Sequence, residues 1–122
     1  MSLLYEELTY KIIGCALEVH KELCSVFLEK VYENALMVSL IEKGVHVKQQ
    51  NPIKVKFKGR IVGDYVSDIL VEEKVILELK AVDKLSNIHR AQVLNYLKST
   101  NLRLAIFLNF KNQKLEYERF IK

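Results

Sequence analysis

The 122-residue chain has no tryptophan, one proline, four glycines and two cysteines. Because residues that break helices and strands are so few, we expect no linker and a single domain over residues 1–122. Cys15 and Cys24 are too few for a disulfide scaffold, and no CxxC motif or Cys/His cluster indicates zinc. Both cysteines are therefore interpreted as reduced thiols of a cytoplasmic protein.

The sequence also has no long hydrophobic run. The apolar run nearest the N-terminus, residues 12–17, covers six residues, whereas a membrane-spanning helix needs about 20. Glu6 and Glu7 stand where an export signal carries positive charge, so neither export nor a membrane is expected. A formal net charge of +4 favours anionic partners only mildly and excludes a tail that binds nucleic acid by charge alone.

The first third of the chain has the apolar spacing of two helices. One helix is predicted over residues 4–23, with the stripe Leu4, Leu8, Ile12, Cys15, Val19 and Leu23 facing inward. A second is predicted from about Phe27 to Lys43 and is expected to bury Leu28, Val31, Ala35, Val38 and Ile41. Gly44 provides the stop signal for this second helix.

From Val45 onward the apolar period changes to two, which indicates strands. The runs 66–71 and 75–79 are apolar on both faces, as in strands that helices cover on both sides. A helix opening at Asp83 or Ser86 and ending near Ser99 then leads to strands at 103–110 and 115–121. A strand–helix–strand connection predicts a parallel pair. The sequence therefore predicts a layered α/β domain with a mixed sheet.

Three charged residues, Asp68, Glu78 and Lys80, interrupt the two most apolar strands. Glu78 and Lys80 share a face, and Asp68 lies opposite Glu78 if Val71 pairs with Val75. A register shift of one residue would move Asp68 to the other face. Two carboxylates this close cannot both stay ionised in a poorly hydrated site without a cation, and a set of oxygen ligands favours Mg²⁺ or Mn²⁺ over zinc. The alternative is a structural ion pair with Lys80 at an exposed edge.

These residues carry a resemblance to a known family. Asp68, nine intervening residues and then Glu78-Leu79-Lys80 resemble the core motif of the PD-(D/E)XK nuclease superfamily. The segment 92–96, with Gln92 and Tyr96, resembles the QxxxY element of its RecB-type members. Over about residues 8–120 the chain is similar to the GxxExxY family, through segment 26–32, Gln50, Pro52, Gly63, Ala81, Val82, Asn95 and segment 108–110. The first motif keeps Glu29 and Tyr32, whereas Val26 replaces its glycine.

The resemblance implies a restriction-endonuclease-like three-layer α/β/α core and Mg²⁺-dependent hydrolysis of phosphodiester bonds in DNA or RNA. It implies that Asp68, Glu78, Glu29 and the Leu79 carbonyl hold Mg²⁺ or Mn²⁺. Lys80 would position or deprotonate the attacking water, and Gln92 and Tyr96 would face the site. The alternative function is a catalytically inactive module of the same fold that binds nucleic acid or a protein. Since the chain is close to a minimal core, target choice would come from a homodimer or a protein partner.

Lysines alternate with apolar residues after Pro52. If this alternation continues to Lys58, then Lys54, Lys56 and Lys58 place three ammonium groups on one strand face. Such a face fits a nucleic-acid-binding ridge, and it equally fits an edge strand that uses lysines against aggregation. The tyrosines at 5, 10, 65 and 117 show no clustering along the sequence, so no base-stacking surface is predicted from them.

Overall fold

The computed structural model describes residues 4–122 and forms an α/β domain with a mixed sheet, which confirms the predicted fold class. The elements are α1 (Glu6–Leu23), α2 (Glu29–Glu42), β1 (Val47–Phe57), β2 (Arg60–Val71), β3 (Val75–Lys80), α3 (Asn87–Thr100), β4 (Leu104–Asn109) and β5 (Glu116–Ile121). The five strands lie in the order β1-β2-β3-β4-β5. Strands β3 and β4 are parallel and the other neighbours are antiparallel, as the connection between them predicted.

Helices cover both faces of the sheet. On one face, α1 and α2 pack on β3 and β4 through a cluster that includes Ile12, Leu36 and Leu77. On the other face, Val93 and Leu97 of α3 pack against residues such as Phe107. The predicted inner stripe of α1 is confirmed at Ile12, Cys15 and Val19, which are buried. Within residues 4–122, no helix combines the length and the apolar character needed to cross a membrane.

The predicted inner face of α2 is wrong. Leu28 is 83% exposed, and Val38 and Ile41 are 58% and 59% exposed. The buried residues of α2 are instead Tyr32, Glu33, Leu36, Ser39 and Leu40. The aromatic ring of Tyr32 stacks on Phe110 at a centroid distance of 4.7 Å, and Ser39 donates a hydrogen bond to Glu18. Since these polar side chains find partners, their burial costs little, and the helix turns a mixed face inward.

Helix α3 begins where one of the two predicted caps stands. The Ser86 hydroxyl accepts the N–H of His89, and Nδ1 of His89 accepts the N–H of Ser86, which closes a capping box. His89 is therefore used for helix initiation. The apolar spacing predicts Leu85, Ile88, Leu94 and Leu97 as the inward residues of this helix. Leu85 and Leu97 are buried, but Ile88 and Leu94 are 81% and 48% exposed, and Val93 and Tyr96 are buried instead.

The connection between α1 and α2 is held by the Tyr32 hydroxyl. This hydroxyl donates to the carbonyl of Cys24 at 2.7 Å and accepts the N–H of Phe27 at 3.1 Å. Cys24 has φ 59° and ψ −152°, a combination adopted almost only by glycine. Val26, which replaces the motif glycine, is not among the residues with positive φ. The backbone strain of this loop therefore lies at Cys24.

We expect Cys24→Gly to raise the free energy of unfolding by about 1 kcal/mol, because glycine adopts this conformation without a Cβ clash. The gain is the relieved strain less the greater entropy of glycine in the unfolded chain. Urea unfolding followed by circular dichroism measures the change. Ser25→Gly, which lies next to Cys24 and is not among the positive-φ residues, is the control and is expected to destabilise slightly. Equal effects of the two substitutions would contradict the strain argument.

Candidate metal centre

The β2–β3 hairpin brings Asp68 and Glu78 together. Val71 pairs with Val75, the register that the sequence analysis assumed, and the ladder ends at the pair Ile69 and Leu77. One residue further, Oδ2 of Asp68 accepts the N–H of Leu79 at 2.8 Å. Glu78 is 5% exposed, and Asp68 is partly buried. The backbone pairing of β2 and β3 therefore stops where the two carboxylates lie, and there the Asp68 side chain binds a backbone N–H of β3 instead.

Both carboxyl groups bind protons more tightly than usual. Burial, together with the neighbouring charge of Asp68, raises the pKa of Glu78 to about 8, against the opposing effect of Lys80. Burial likewise raises the pKa of Asp68 to about 6, with a contribution from Glu33 and against the effect of the Leu79 N–H and Lys80. A bound cation would reverse both shifts, because it stabilises the ionised form of each carboxyl.

Glu33 belongs to the same electrostatic cluster and was missed by the sequence analysis. It is 4% exposed, and its Oε2 accepts hydrogen bonds from Gln49, Gln50 and Lys30. Burial acts to raise the pKa of Glu33, but these three donors outweigh it, so that the pKa is lowered and the group stays ionised. The available signal was its spacing, since Glu29 and Glu33 are four residues apart and share a helix face.

Strand β1 changes faces at Gln50, which has φ 55°. Val47 packs with the α1/α2 cluster and Ile53 with the α3 cluster, although a regular strand would place these two residues on one face. Gln49 and Asn51 pair with Ile69 and Ser67, so Gln50 stands opposite Asp68. The left-handed conformation lets two consecutive side chains, Gln49 and Gln50, reach Glu33. Such strain is typical of functional sites.

The other predicted site residues differ in their burial and in their electrostatic effect on Asp68 and Glu78. Lys80 is partly buried at the end of β3, and Glu29 is exposed in the first turn of α2, from where its charge acts on Asp68. Burial raises the pKa of Tyr96 to about 12, with further contributions from Glu78, Tyr65 and Asp68, so Tyr96 of α3 faces the carboxylates. Gln92, one turn earlier and partly buried, makes no side-chain hydrogen bond to residues 4–122.

The end of β3 is fixed by Asn109, which lies opposite Lys80 on β4 and is fully buried. The Asn109 side chain accepts the N–H of Val82 at 3.2 Å and donates to the Val82 carbonyl at 2.8 Å. In addition, the N–H of Phe110 donates to the Lys80 carbonyl. The backbone on the C-terminal side of Lys80 is therefore rigidly held by the neighbouring strand.

The lysine alternation does not continue to Lys58. Strand β1 ends at Phe57, and Lys58 and Gly59 form a two-residue turn with φ 50° and 78°. Lys54 forms an ion pair with Asp64, whereas Lys56 forms none within residues 4–122. The condition for three ammonium groups on one strand face is therefore not met.

The donors present fit a divalent cation of the oxygen-binding type. Oε1 of Glu78 is buried without a hydrogen-bond partner in the described part of the chain, and a cation would satisfy it. No group of three or more His, Cys, Asp or Glu side chains in residues 4–122 is arranged to hold a metal. Mg²⁺ in proteins is commonly held by one or two carboxylates and several waters, so the pair Asp68 and Glu78 meets its requirement.

Comparisons with known proteins establish the family and the fold of the chain. Residues 6–120 match the family model described as PD-(D/E)XK nuclease superfamily. No curated protein sequence matches the chain. The solved structure of SSO0001 is 15% identical with a TM-score of 0.55; the match covers 76% of this chain but only 49% of SSO0001.

An alkaline exonuclease from Laribacter hongkongensis, LHK-Exo, is 14% identical with a TM-score of 0.50, over 100% of this chain and 72% of the exonuclease. LHK-Exo in complex with dAMP is 12% identical with a TM-score of 0.53, over 94% of this chain and 82% of that one. At these identities the likeness establishes the fold, and function is argued from the site.

Proposed function

Because the chain belongs to the PD-(D/E)XK nuclease superfamily and has its restriction-endonuclease-like fold, we propose that it is a metal-dependent nuclease that hydrolyses phosphodiester bonds in DNA or RNA. The observation that carries the proposal is the pair formed by Glu78, which is buried, and Asp68, which is partly buried. Both pKa values are raised, and Glu78 Oε1 has no hydrogen-bond partner in residues 4–122, so a bound cation would stabilise both carboxylates. Lys80, two residues after Glu78 on the same strand, completes the set that the chemistry needs.

Asp68 and Glu78 would hold Mg²⁺ or Mn²⁺, with the Leu79 carbonyl and water completing its shell and Glu29 at its outer side. A divalent cation at this position supplies positive charge that stabilises the developing negative charge of the phosphate and acidifies water. The Asp68 carboxylate keeps its orientation through the Leu79 N–H. Glu33, fixed by Gln49 and Gln50, adds a permanent negative charge that strengthens cation binding.

Lys80 would position or deprotonate the attacking water and stabilise the transition state, since its ammonium group is close enough to lower the pKa of both carboxyls. Tyr96 contributes a hydroxyl that remains protonated well above neutral pH, because burial raises its pKa to about 12. It is therefore a hydrogen-bond donor for a phosphate or a base. Gln92, one turn earlier on α3, is proposed to contact the same substrate. The homodimer or protein partner expected from the size of the chain stays a prediction, which size-exclusion chromatography can test.

Cleavage of end-labelled single- and double-stranded DNA and RNA tests the proposal. Wild-type protein is incubated at low salt with Mg²⁺, with Mn²⁺ or with EDTA, beside Asp68→Asn as a variant of matched shape. We expect cleavage that requires the metal and is lost in Asp68→Asn. If the wild type cleaves none of the substrates but binds one of them, the protein is the inactive binding module that the sequence left as the alternative.

A further inference from the structure

The β1–β2 hairpin extends beyond the carboxylates as a separate ribbon. Residues 51–57 pair with residues 60–67, whereas β3 pairs with β2 only over residues 69–71. β1 is the first strand of the sheet, so this ribbon, which we call the arm (residues 51–67), has β-strand pairing on one edge of each strand. From Asp68 to the turn at Gly59 the extended chain spans about 30 Å at 3.3 Å per residue.

One face of the arm is aromatic. Residues that pair across the ribbon share a face, so Ile53 and Tyr65 lie together, as do Phe57 and Arg60. This face turns toward α3, where Ile53 is buried and Tyr65 lies 6.1 Å from Tyr96 between ring centroids. Tyr96 packs in the cluster with Leu70 and Ile76, two residues along their strands from Asp68 and Glu78 and on the same face, and the charges of both carboxylates act on its hydroxyl.

Strand β1 alternates from Ile53 to Phe57, so Phe57 lies on the same face nearer the turn, beyond a register shift between Val55 and Lys56 at which β2 carries one extra residue. Tyr96, Tyr65 and Phe57 therefore follow one another from the carboxylates toward the turn, with a ring contact between Tyr96 and Tyr65 and none between Tyr65 and Phe57 in residues 4–122.

The outer end of this series of rings has both apolar and cationic character. The Phe57 side chain is 62% exposed and the Tyr65 side chain 49%. The Lys58 ammonium lies 5.4 Å from the centroid of the Phe57 ring, and Arg60 is directly across the ribbon from Phe57. The opposite face carries the Lys54–Asp64 ion pair and the pair Lys56 and Ile61. Exposed rings flanked by cations are typical of surfaces that bind a flexible nucleic-acid strand, because its bases stack on the rings and its phosphates contact the cations.

We propose that this aromatic face of the arm binds the unpaired bases of a single-stranded nucleic acid, or of a strand end, and leads the strand to the carboxylates. The inference rests on the proposed nuclease function and specifies its substrate class. Bases inside a duplex already stack on each other and offer no free face to Tyr65 or Phe57. The absence of tyrosine clustering along the sequence concealed this surface, because Tyr65 and Tyr96 meet only through the packing of α3 on the β1–β2 hairpin, where Ile53 of β1 is buried.

Tryptophan substitution provides a direct test, because the chain has no tryptophan of its own. Phe57→Trp and Tyr65→Trp are prepared in the Asp68→Asn background and titrated with oligothymidylate in EDTA. Ile61→Trp is the matched control, since Ile61 is 59% exposed on the opposite face of the same arm. We expect stacking to quench the emission of the tryptophans at 57 and 65 and to leave that at 61 unchanged. Quenching at 61 alone, or at none of the three positions, would overturn the proposal.

Affinity measurements complete the test. Phe57→Ala and Tyr65→Ala are each expected to weaken oligothymidylate binding by about 5- to 150-fold, and Ile61→Ala to leave it unchanged. Tighter binding of a hairpin duplex than of oligothymidylate would overturn the choice of substrate class. Because no step requires cleavage, the two proposals fail separately. Quenching at position 57 without cleavage by the wild type would contradict the nuclease function and support strand binding by the arm. Cleavage by the wild type without quenching would contradict strand binding by the arm.

Discussion

Lys80→Met is expected to lower the rate of metal-dependent cleavage by about 10²- to 10⁴-fold, the usual contribution of a positioned acid–base or charge-stabilising group. Methionine keeps the length and the apolar stem of lysine, so β3 and its pairing with β4 are preserved. The loss arises because the ammonium group at the end of β3 no longer meets the developing charge. Initial rates measured with the preferred labelled substrate report the effect.

The same variant separates the role of Lys80 from that of the carboxylates. Lys80 lowers the pKa of both Asp68 and Glu78, so its removal raises those values and strengthens proton competition for the cation near neutral pH. Because the pKa of Glu78 in the wild type is about 8, proton competition weakens as the pH is raised to 9, so Mn²⁺ binding by Lys80→Met, measured by calorimetry, is expected to be closer to that of the wild type at pH 9 than at pH 7. Lys84→Met, at an exposed position in the connection that follows β3, is the control and should cleave like wild type. Equal rates for the two variants would rule out a chemical role for Lys80.

The central pair could be found from the sequence because charge is so unexpected in those strands. Asp68 and Glu78 interrupt apolar runs that pair in the predicted register, with Val71 opposite Val75. The hydrophobic period and the composition of the two strands were sufficient to predict their pairing, since a hairpin with a short turn allows few alternative registers. The structure adds that the ladder ends one residue before the predicted pair, and that the Asp68 side chain takes the N–H of Leu79 instead.

The inner face of α2 could not be found in this way. Its apolar residues occur on two sides of the helix, and hydrophobicity favoured the side with Val38 and Ile41. The side that packs inward carries Tyr32 and Glu33, whose partners are the Cys24 carbonyl and the side chains of Gln49 and Gln50. Those partners come from a loop and from another strand, so that no local pattern reveals them. The same holds for Gln50, whose positive φ is unusual for glutamine.

Glu78→Gln is expected to make the protein more stable than wild type at pH 8, by roughly 1–3 kcal/mol, and to have a much smaller effect at pH 5. The pKa of about 8 that Glu78 has in the folded protein exceeds the ordinary glutamate pKa of 4.5, so between these values folded wild type binds more protons than the unfolded chain. Its stability therefore falls as the pH rises through this window, and glutamine, which does not ionise, removes that loss. Urea unfolding at the two pH values measures it.

Glu118→Gln is the control of opposite sign. Its hydrogen bond from Arg90 lowers the pKa of Glu118, so the contribution of this carboxylate is present above its unfolded pKa and lost as the pH falls through the folded value. Replacing the Glu118 carboxylate by the amide of glutamine should therefore not stabilise the protein at pH 8. A gain at pH 8 for both variants would point to a general effect of net charge and against a specific ionisation cost at Glu78.

A divalent cation should invert the order of stability of wild type and Glu78→Gln. At a free Mn²⁺ concentration of about 1,000 times its dissociation constant, binding to the native state adds about 4.1 kcal/mol to wild type, or on the order of 15 °C in Tm, which exceeds the advantage of the variant. Glu78→Gln lacks one of the two carboxylates and should gain little. Thermal unfolding with Mn²⁺ and with EDTA measures both proteins. If Mn²⁺ raises the Tm of the two by the same amount, the cation binds elsewhere, and the buried carboxylates are not a metal site.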